Sequence, residues 1–241
     1  MSGALAHRAA LATIVLVAAL VSTVACTRAA PPARSRSETV AGARVLVLAP
    51  AHPDPAAALV VGLHGLGGSP ERFGQVWDGA DVPYEVALIE GFIPYEGGAA
   101  WFEWPRSSSD DALAALVSTA EARLWTVIAT LAHGRKVIVT GFSQGAVMTF
   151  ALAAKHPAEI AYAFPIAGRL PAKLAPASPA APVHALHGTA DPVIEIELAR
   201  AAVGAFAAAG GSADLREFPG VAHAIAPEMR AELLASIGAV R

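Results

Sequence analysis

A single cysteine, Cys26, stands in the 241 residues. The chain beyond it therefore has no disulfide, no thiol nucleophile and no thiolate metal site. Charge is sparse too. Charged residues make up 15% of the sequence and aromatics 6%, against 55% apolar, and the formal net charge is −3. No basic stripe or block of like charge appears, so nucleic-acid binding has no support. A composition this apolar argues against disorder and for a well-buried core. The length suits one large α/β domain and is short for two.

The N-terminus reads as a targeting segment. His7 and Arg8 precede an apolar run from about Ala9 to Ala25 that closes on small residues before Cys26. A run this short is a signal-peptide core rather than a stable membrane span. Val21-Ser22-Thr23-Val24-Ala25-Cys26 resembles a bacterial lipobox, which makes residues 1–25 a lipoprotein-type signal and Cys26 a lipidated mature N-terminus. Plain cleavage and an uncleaved anchor are the other readings. Each implies export, to the bacterial envelope, the periplasm or the outside. Residues 26–39, rich in Pro, Ser and Arg and aperiodic, are expected to form a flexible linker. The domain then runs from 40 to 241.

Within it β-like and helical runs alternate. Strands are expected at 43–48, 58–63, 84–89, 136–140, 161–166, 183–187 and 214–218, and helices at 70–78, 110–132, 144–155, 195–209 and 227–238. In the longest helix Leu113, Leu116, Val117, Ala120, Leu124, Val127, Ile128 and Leu131 form one apolar stripe at three- and four-residue steps. Ser109 is placed to cap it, and Asp110 and Asp111 suit the positive end of its dipole. Strands alternating with helices, several of them short continuous apolar runs, imply a doubly wound, mostly parallel sheet with helices on both faces. Ligands of such sheets bind beyond the carboxyl ends of the strands.

Gly141-Phe142-Ser143-Gln144-Gly145 fits G-x-S-x-G and lies where an apolar strand (Lys136–Thr140) meets a helix-like run (Ala146–Leu152). That context marks a nucleophile elbow rather than a chance pentapeptide, with the serine hydroxyl thrust above the sheet edge. A serine needs a base to take its proton and a third group to orient that base. Of the acids downstream, Glu159, Glu195, Glu197, Glu228 and Glu232 look like helix-surface residues, and Asp214 and Glu217 fall on a strand. Asp191 closes His187-Gly188-Thr189-Ala190-Asp191-Pro192, a turn directly after an apolar strand, and so reaches the functional edge. Its plainer reading is a capping Asp before Pro192. Among the histidines, His156 looks like a helix end, His184 lies in a strand and His187 supports the Asp191 turn. His223, in the loop Pro219–Ile225, can reach over the sheet edge as general base; alternatively it is a partly buried structural histidine. Two backbone N–H donors should face the oxyanion. Gln144, directly after the serine, supplies one. The glycine turn Leu63-His64-Gly65-Leu66-Gly67-Gly68 supplies the other, from Leu66 or else Gly67. His64 is a second base candidate, more often a brace for such a turn.

Together these four segments resemble the phospholipase/carboxylesterase family of α/β-hydrolases, which includes the acyl-protein thioesterases, over roughly residues 45–238. The resemblance implies a serine carboxylic-ester hydrolase of α/β-hydrolase fold, needing no metal or cofactor. Ser143, Asp191 and His223 would be nucleophile, acid and base, with Leu66 and Gln144 forming the oxyanion hole. Trp101-Phe102-Glu103 matches an aromatic segment that the family carries before its long helix. Trp101 and Phe102 are therefore substrate-binding candidates, or else core. Export and a Gly/Pro-rich 90–109 loop depart from the cytosolic thioesterases and shift the expected substrate toward small-molecule or lipid esters. A feruloyl or polyester esterase, a peptidase, and a non-catalytic surface lipoprotein are the competing readings.

Overall fold

The computed structural model describes residues 34–80, 83–105 and 108–240. The targeting segment 1–25, Cys26 and the linker residues up to 33 lie outside them. In chain order the strands are β1 (Arg34–Val40), β2 (Ala43–Ala49), β3 (Leu59–Leu63), β4 (Val86–Ile89), β5 (Ile93–Tyr95), β6 (Gly98–Ala100), β7 (Val137–Phe142), β8 (Ile160–Ile166), β9 (Val183–Gly188) and β10 (Ala213–Phe218). The helices are α1 (Pro70–Gly74), α2 (Asp110–Ala132), α3 (Gln144–Lys155), α4 (Ile196–Ala208) and α5 (Pro227–Ala239). Helix α1 continues into a 3₁₀ turn at Gln75–Trp77.

The main sheet has eight strands in the order β1-β2-β4-β3-β7-β8-β9-β10. The strands from β4 to β10 pair parallel, and β2 and β1 join antiparallel at one edge. Successive strand side chains point to opposite faces, and both faces are covered. Val61, Val137 and Val139 join one core cluster with α2, α3 and α4, while Val60 and Ile138 join a second with α1 and α5. This is the doubly wound α/β-hydrolase architecture. Full burial of a Val, Leu or Ile side chain is worth roughly 1.5–3 kcal/mol, so the central strands anchor whatever stands on their carboxyl ends.

Helix α2 has the expected bounds, and Ser109 Oγ accepts from Ala112 N–H at 3.2 Å. Asp110 receives the backbone N–H of Ala172 and pairs with Arg169, tying the helix start to the segment after β8. The linker expectation needs correction: its residues 34–39 belong to β1, which pairs with β2 from Arg34↔Ala49 to Val40↔Ala43. The two strands meet at Ala41 (φ 46°) and Gly42 (φ 76°), the paired positive φ of a tight hairpin turn. Backbone hydrogen bonds hold this polar edge strand, and it buries little, so hydrophobic patterning does not reveal it.

Candidate active site

Ser143 stands between β7 and α3 with φ 54° and ψ −115°, a conformation that side-chain-bearing residues rarely adopt. The flanking glycines are there for space. A Cβ on Gly141 would fall 2.5 Å from the carbonyl carbon of Gly145, and one on Gly145 would collide with the carbonyl of Leu63 at the end of β3. The elbow thus packs main chain against main chain.

Three side chains from three loops meet here. His223 Nε2 lies 2.9 Å from Ser143 Oγ, and its Nδ1 lies 2.7 Å from Asp191 Oδ2. A carboxylate only accepts, so Nδ1–H donates to Asp191 and Nε2 is left to accept from the serine hydroxyl. The second oxygen of Asp191 accepts from the N–H groups of Val193 (2.8 Å) and Ile194 (3.0 Å). Burial pushes the Asp191 carboxyl up, but the His223 bond and these two backbone donors outweigh it and hold the group below its usual value. The acid turn and the histidine loop are laced together: Ala190 N–H donates to Val221 O at 3.0 Å, and Gly220 N–H to Thr189 Oγ1 at 3.0 Å. His187 supports the turn, its Nε2–H donating to Ile194 O at 2.8 Å. Burial depresses its pKa, which keeps the ring neutral.

The glycine turn after β3 lies across the elbow. His64, 2% exposed, is a brace: Nδ1–H donates to Gly65 O at 2.7 Å, and Nε2 accepts from Gly91 N–H at 2.9 Å. Burial lowers its pKa, as a ring accepting at Nε2 requires. Gly67 N–H is already donated to Ala99 O at 2.9 Å, and Gly68 N–H to Gly65 O. Among the described residues, the N–H groups of Leu66 and Gln144 make no hydrogen bond within the protein. Of the two donors read from the turn, Leu66 is therefore the available one.

The substrate-binding assignment of Trp101 and Phe102 needs correction. They are 1% and 3% exposed and belong to the core on the α2–α3 side. Trp101 Nε1–H donates to His64 O at 2.8 Å, and the main chain of both residues is bonded by the fully buried side chain of Gln144. Their role is to hold the 90–102 excursion against the glycine turn. That excursion contains the β5–β6 hairpin, which turns at Glu96 (φ 44°) and Gly97 (φ 78°) and is stitched to the turn by Ala99 N–H→Gly68 O at 3.0 Å. Neither the hairpin nor the Gln144 clamp is visible in residue patterning; the one local signal is Glu-Gly between two short β-like runs.

Beside Ser143 a cleft of about 460 Å³ opens between the glycine turn, α1, the His223 loop and the start of α5. Leu66, 42% exposed, stands at its rim. Among the described residues, no cluster of three or more His, Cys, Asp or Glu could hold a metal ion.

A model of the phospholipase/carboxylesterase family matches residues 47–240. The esterase YpfH of Escherichia coli is 29% identical over 187 residues, which cover 72% of this chain and 79% of that protein. Among solved structures, esterase PE8 superposes with a TM-score of 0.69 at 23% identity, covering 88% of this chain and all of PE8. Zea mays acyl-protein thioesterase 2 superposes at 0.63 with 22% identity, covering 80% of this chain and 97% of that one.

Proposed function

Because the chain belongs to the phospholipase/carboxylesterase family and is an ester-hydrolysing serine hydrolase, we propose that it cleaves carboxylic esters through an acyl-enzyme on Ser143. The unbroken Ser143–His223–Asp191 hydrogen-bond chain carries this reading. Ser143 Oγ attacks the acyl carbon as His223 Nε2 takes its proton. The negative charge that develops on the carbonyl oxygen faces the N–H groups of Leu66 and Gln144, and each such donor is worth roughly 10²–10³ in rate. The tetrahedral adduct collapses, the bond to the alcohol breaks, and His223 returns the proton to the departing oxygen. Water then attacks the acyl carbon with His223 again as base, and the carboxylic acid leaves as Ser143 recovers its proton. Asp191 keeps Nδ1–H in place and stabilises the imidazolium between these steps.

The substrates are small-molecule or lipid esters, met outside the cytoplasm. Export follows from the apolar segment before Cys26, with lipidation of that cysteine as the anchor. Mass spectrometry of the mature N-terminus tests the lipid anchor: a diacylglyceryl-modified Cys26 supports it, and a terminus that is cleaved without modification or left uncleaved overturns it. For the chemistry, Ser143→Ala should abolish p-nitrophenyl ester turnover and fluorophosphonate labelling. Wild-type turnover by that variant would refute the acyl-enzyme.

A further inference from the structure

The cleft beside Ser143 is lined by two arginines, Arg72 and Arg230, and by no aspartate or glutamate. Both guanidiniums are held by main-chain carbonyls. Arg230 donates from Nε to Val76 O at 2.8 Å and from its Nη2 to Asp78 O at 2.5 Å, and Arg72 donates from Nη1 to Gly67 O at 3.2 Å. Among the described residues, neither meets a carboxylate within ion-pair distance, whereas Glu71, next to Arg72, is turned away onto Arg44 at 2.7 Å. A guanidinium carries five N–H donors in a fixed fork. Two bonds to carbonyls fix the orientation of Arg230 without neutralising it, and several donors remain on each residue. Two oriented cations with no carboxylate partner among the described residues, in a concave site, suit a carboxylate or phosphate.

The side of the ester that meets them follows from the chemistry of the site, and so rests on the reading of Ser143 and His223 given above. The departing oxygen must come within hydrogen-bond reach of His223 Nε2 to receive its proton. His223, Ala224 and Ile225 line this cleft, and α5 brings Arg230 in behind them. The alcohol half of the ester therefore occupies it. We propose that Arg72 and Arg230 form an anion subsite that selects esters whose leaving alcohol bears a carboxylate or phosphate.

The test compares 4-carboxyphenyl acetate with its neutral carboxamide analogue, and phenyl acetate with monophenyl glutarate, which carries its charge on the acyl side. Taking each kcat/KM ratio of charged to neutral substrate relative to that of a variant removes the intrinsic reactivity of the leaving group. In Arg72→Gln and in Arg230→Gln the leaving-group ratio should fall roughly tenfold, as expected for a lost charge-assisted hydrogen bond in a partly solvated cleft. The wild-type ratio should also shrink as salt rises, because partly exposed charges are screened. 4-Acetoxyphenyl phosphate, whose leaving alcohol is hydroquinone monophosphate, distinguishes phosphate from carboxylate. Arg230 also ties α5 to the 3₁₀ turn; if its variant does not fold, Arg72→Gln and the salt series decide the matter. An unchanged leaving-group ratio in Arg72→Gln with no salt dependence overturns the subsite. So does a preference confined to monophenyl glutarate, which would put the anion on the acyl side. Phenyl acetate turnover that survives in Ser143→Ala would instead overturn the serine reading.

Discussion

The side chain of Gln144 spans the main chain of Trp101 and Phe102: Oε1 accepts from Trp101 N–H at 2.9 Å, and Nε2 donates to Phe102 O at 2.8 Å. The residue proposed to present its own N–H to the oxyanion thus also locks the excursion that backs the glycine turn. Gln144→Ala would leave a buried donor and a buried acceptor unpaired, at a cost of roughly 2–4 kcal/mol. Urea unfolding should show that loss, and kcat should fall more than KM rises, because the misplaced donors matter most in the transition state. Wild-type stability in this variant would show that the clamp is idle.

Asp191→Asn should be the most informative variant at the base. An amide nitrogen facing Nδ1 of His223 favours the tautomer with its proton on Nε2, which can no longer accept from Ser143. Turnover should fall by roughly 10⁴ while the fold, followed by circular dichroism, persists. A loss under about tenfold would remove Asp191 from its proposed role.

Gly145→Ala tests the close packing of the elbow. Its added methyl meets the carbonyl of Leu63, which is main chain and cannot rotate aside. Loss of roughly 3 kcal/mol or more is expected, with failure to express as the extreme case. A melt indistinguishable from wild type would mean that β3 and α3 can separate without penalty.

Stability should decline toward acid. His64 and His187 have their pKa values depressed below 6.5 by burial. In the window beneath 6.5 the unfolded chain takes up protons that the folded one refuses, so stability complete above that value is lost as pH falls. Asp191 and Glu121 act lower down. Burial raises the carboxyl of Glu121, but hydrogen bonds from His156 and Lys155 outweigh it, so both acids sit below their ordinary 3.8 and 4.5. Thermal melts between about pH 8 and pH 4 should show Tm sloping down below neutrality and steepening near the carboxylate range. A flat Tm across the upper window would exclude the neutral-histidine reading.

The strongly periodic parts of the chain are legible in the sequence. Helix α2 could be bounded from its apolar stripe and Ser109, and the strand–Ser143–helix junction from a pentapeptide in context. Segments held mostly by backbone bonding are not. Strand β1 is polar because it lies at the sheet edge and buries little beyond Val40, and β5 and β6 are too short for alternation to register. Residues that act twice were only half visible. Gln144 could be placed by position in the elbow, but its side-chain bonds to a segment more than 40 residues away have no local signature. Trp101 and Phe102 fit a pocket or a core equally in sequence, because large aromatics fill both, and only their burial separates the two.

Ser143 keeps its unfavourable dihedrals only while the Leu63 carbonyl, the Gly141–Gly145 contact and the β8 carbonyl that receives its N–H (Ile166 O, 2.9 Å) stay in register. A detached or half-folded chain would relax to an extended serine with no special reactivity. With Ser143 as the proposed nucleophile, fluorophosphonate labelling becomes a titration of intact molecules, and in denaturant its amplitude should follow the native population rather than the amount of protein.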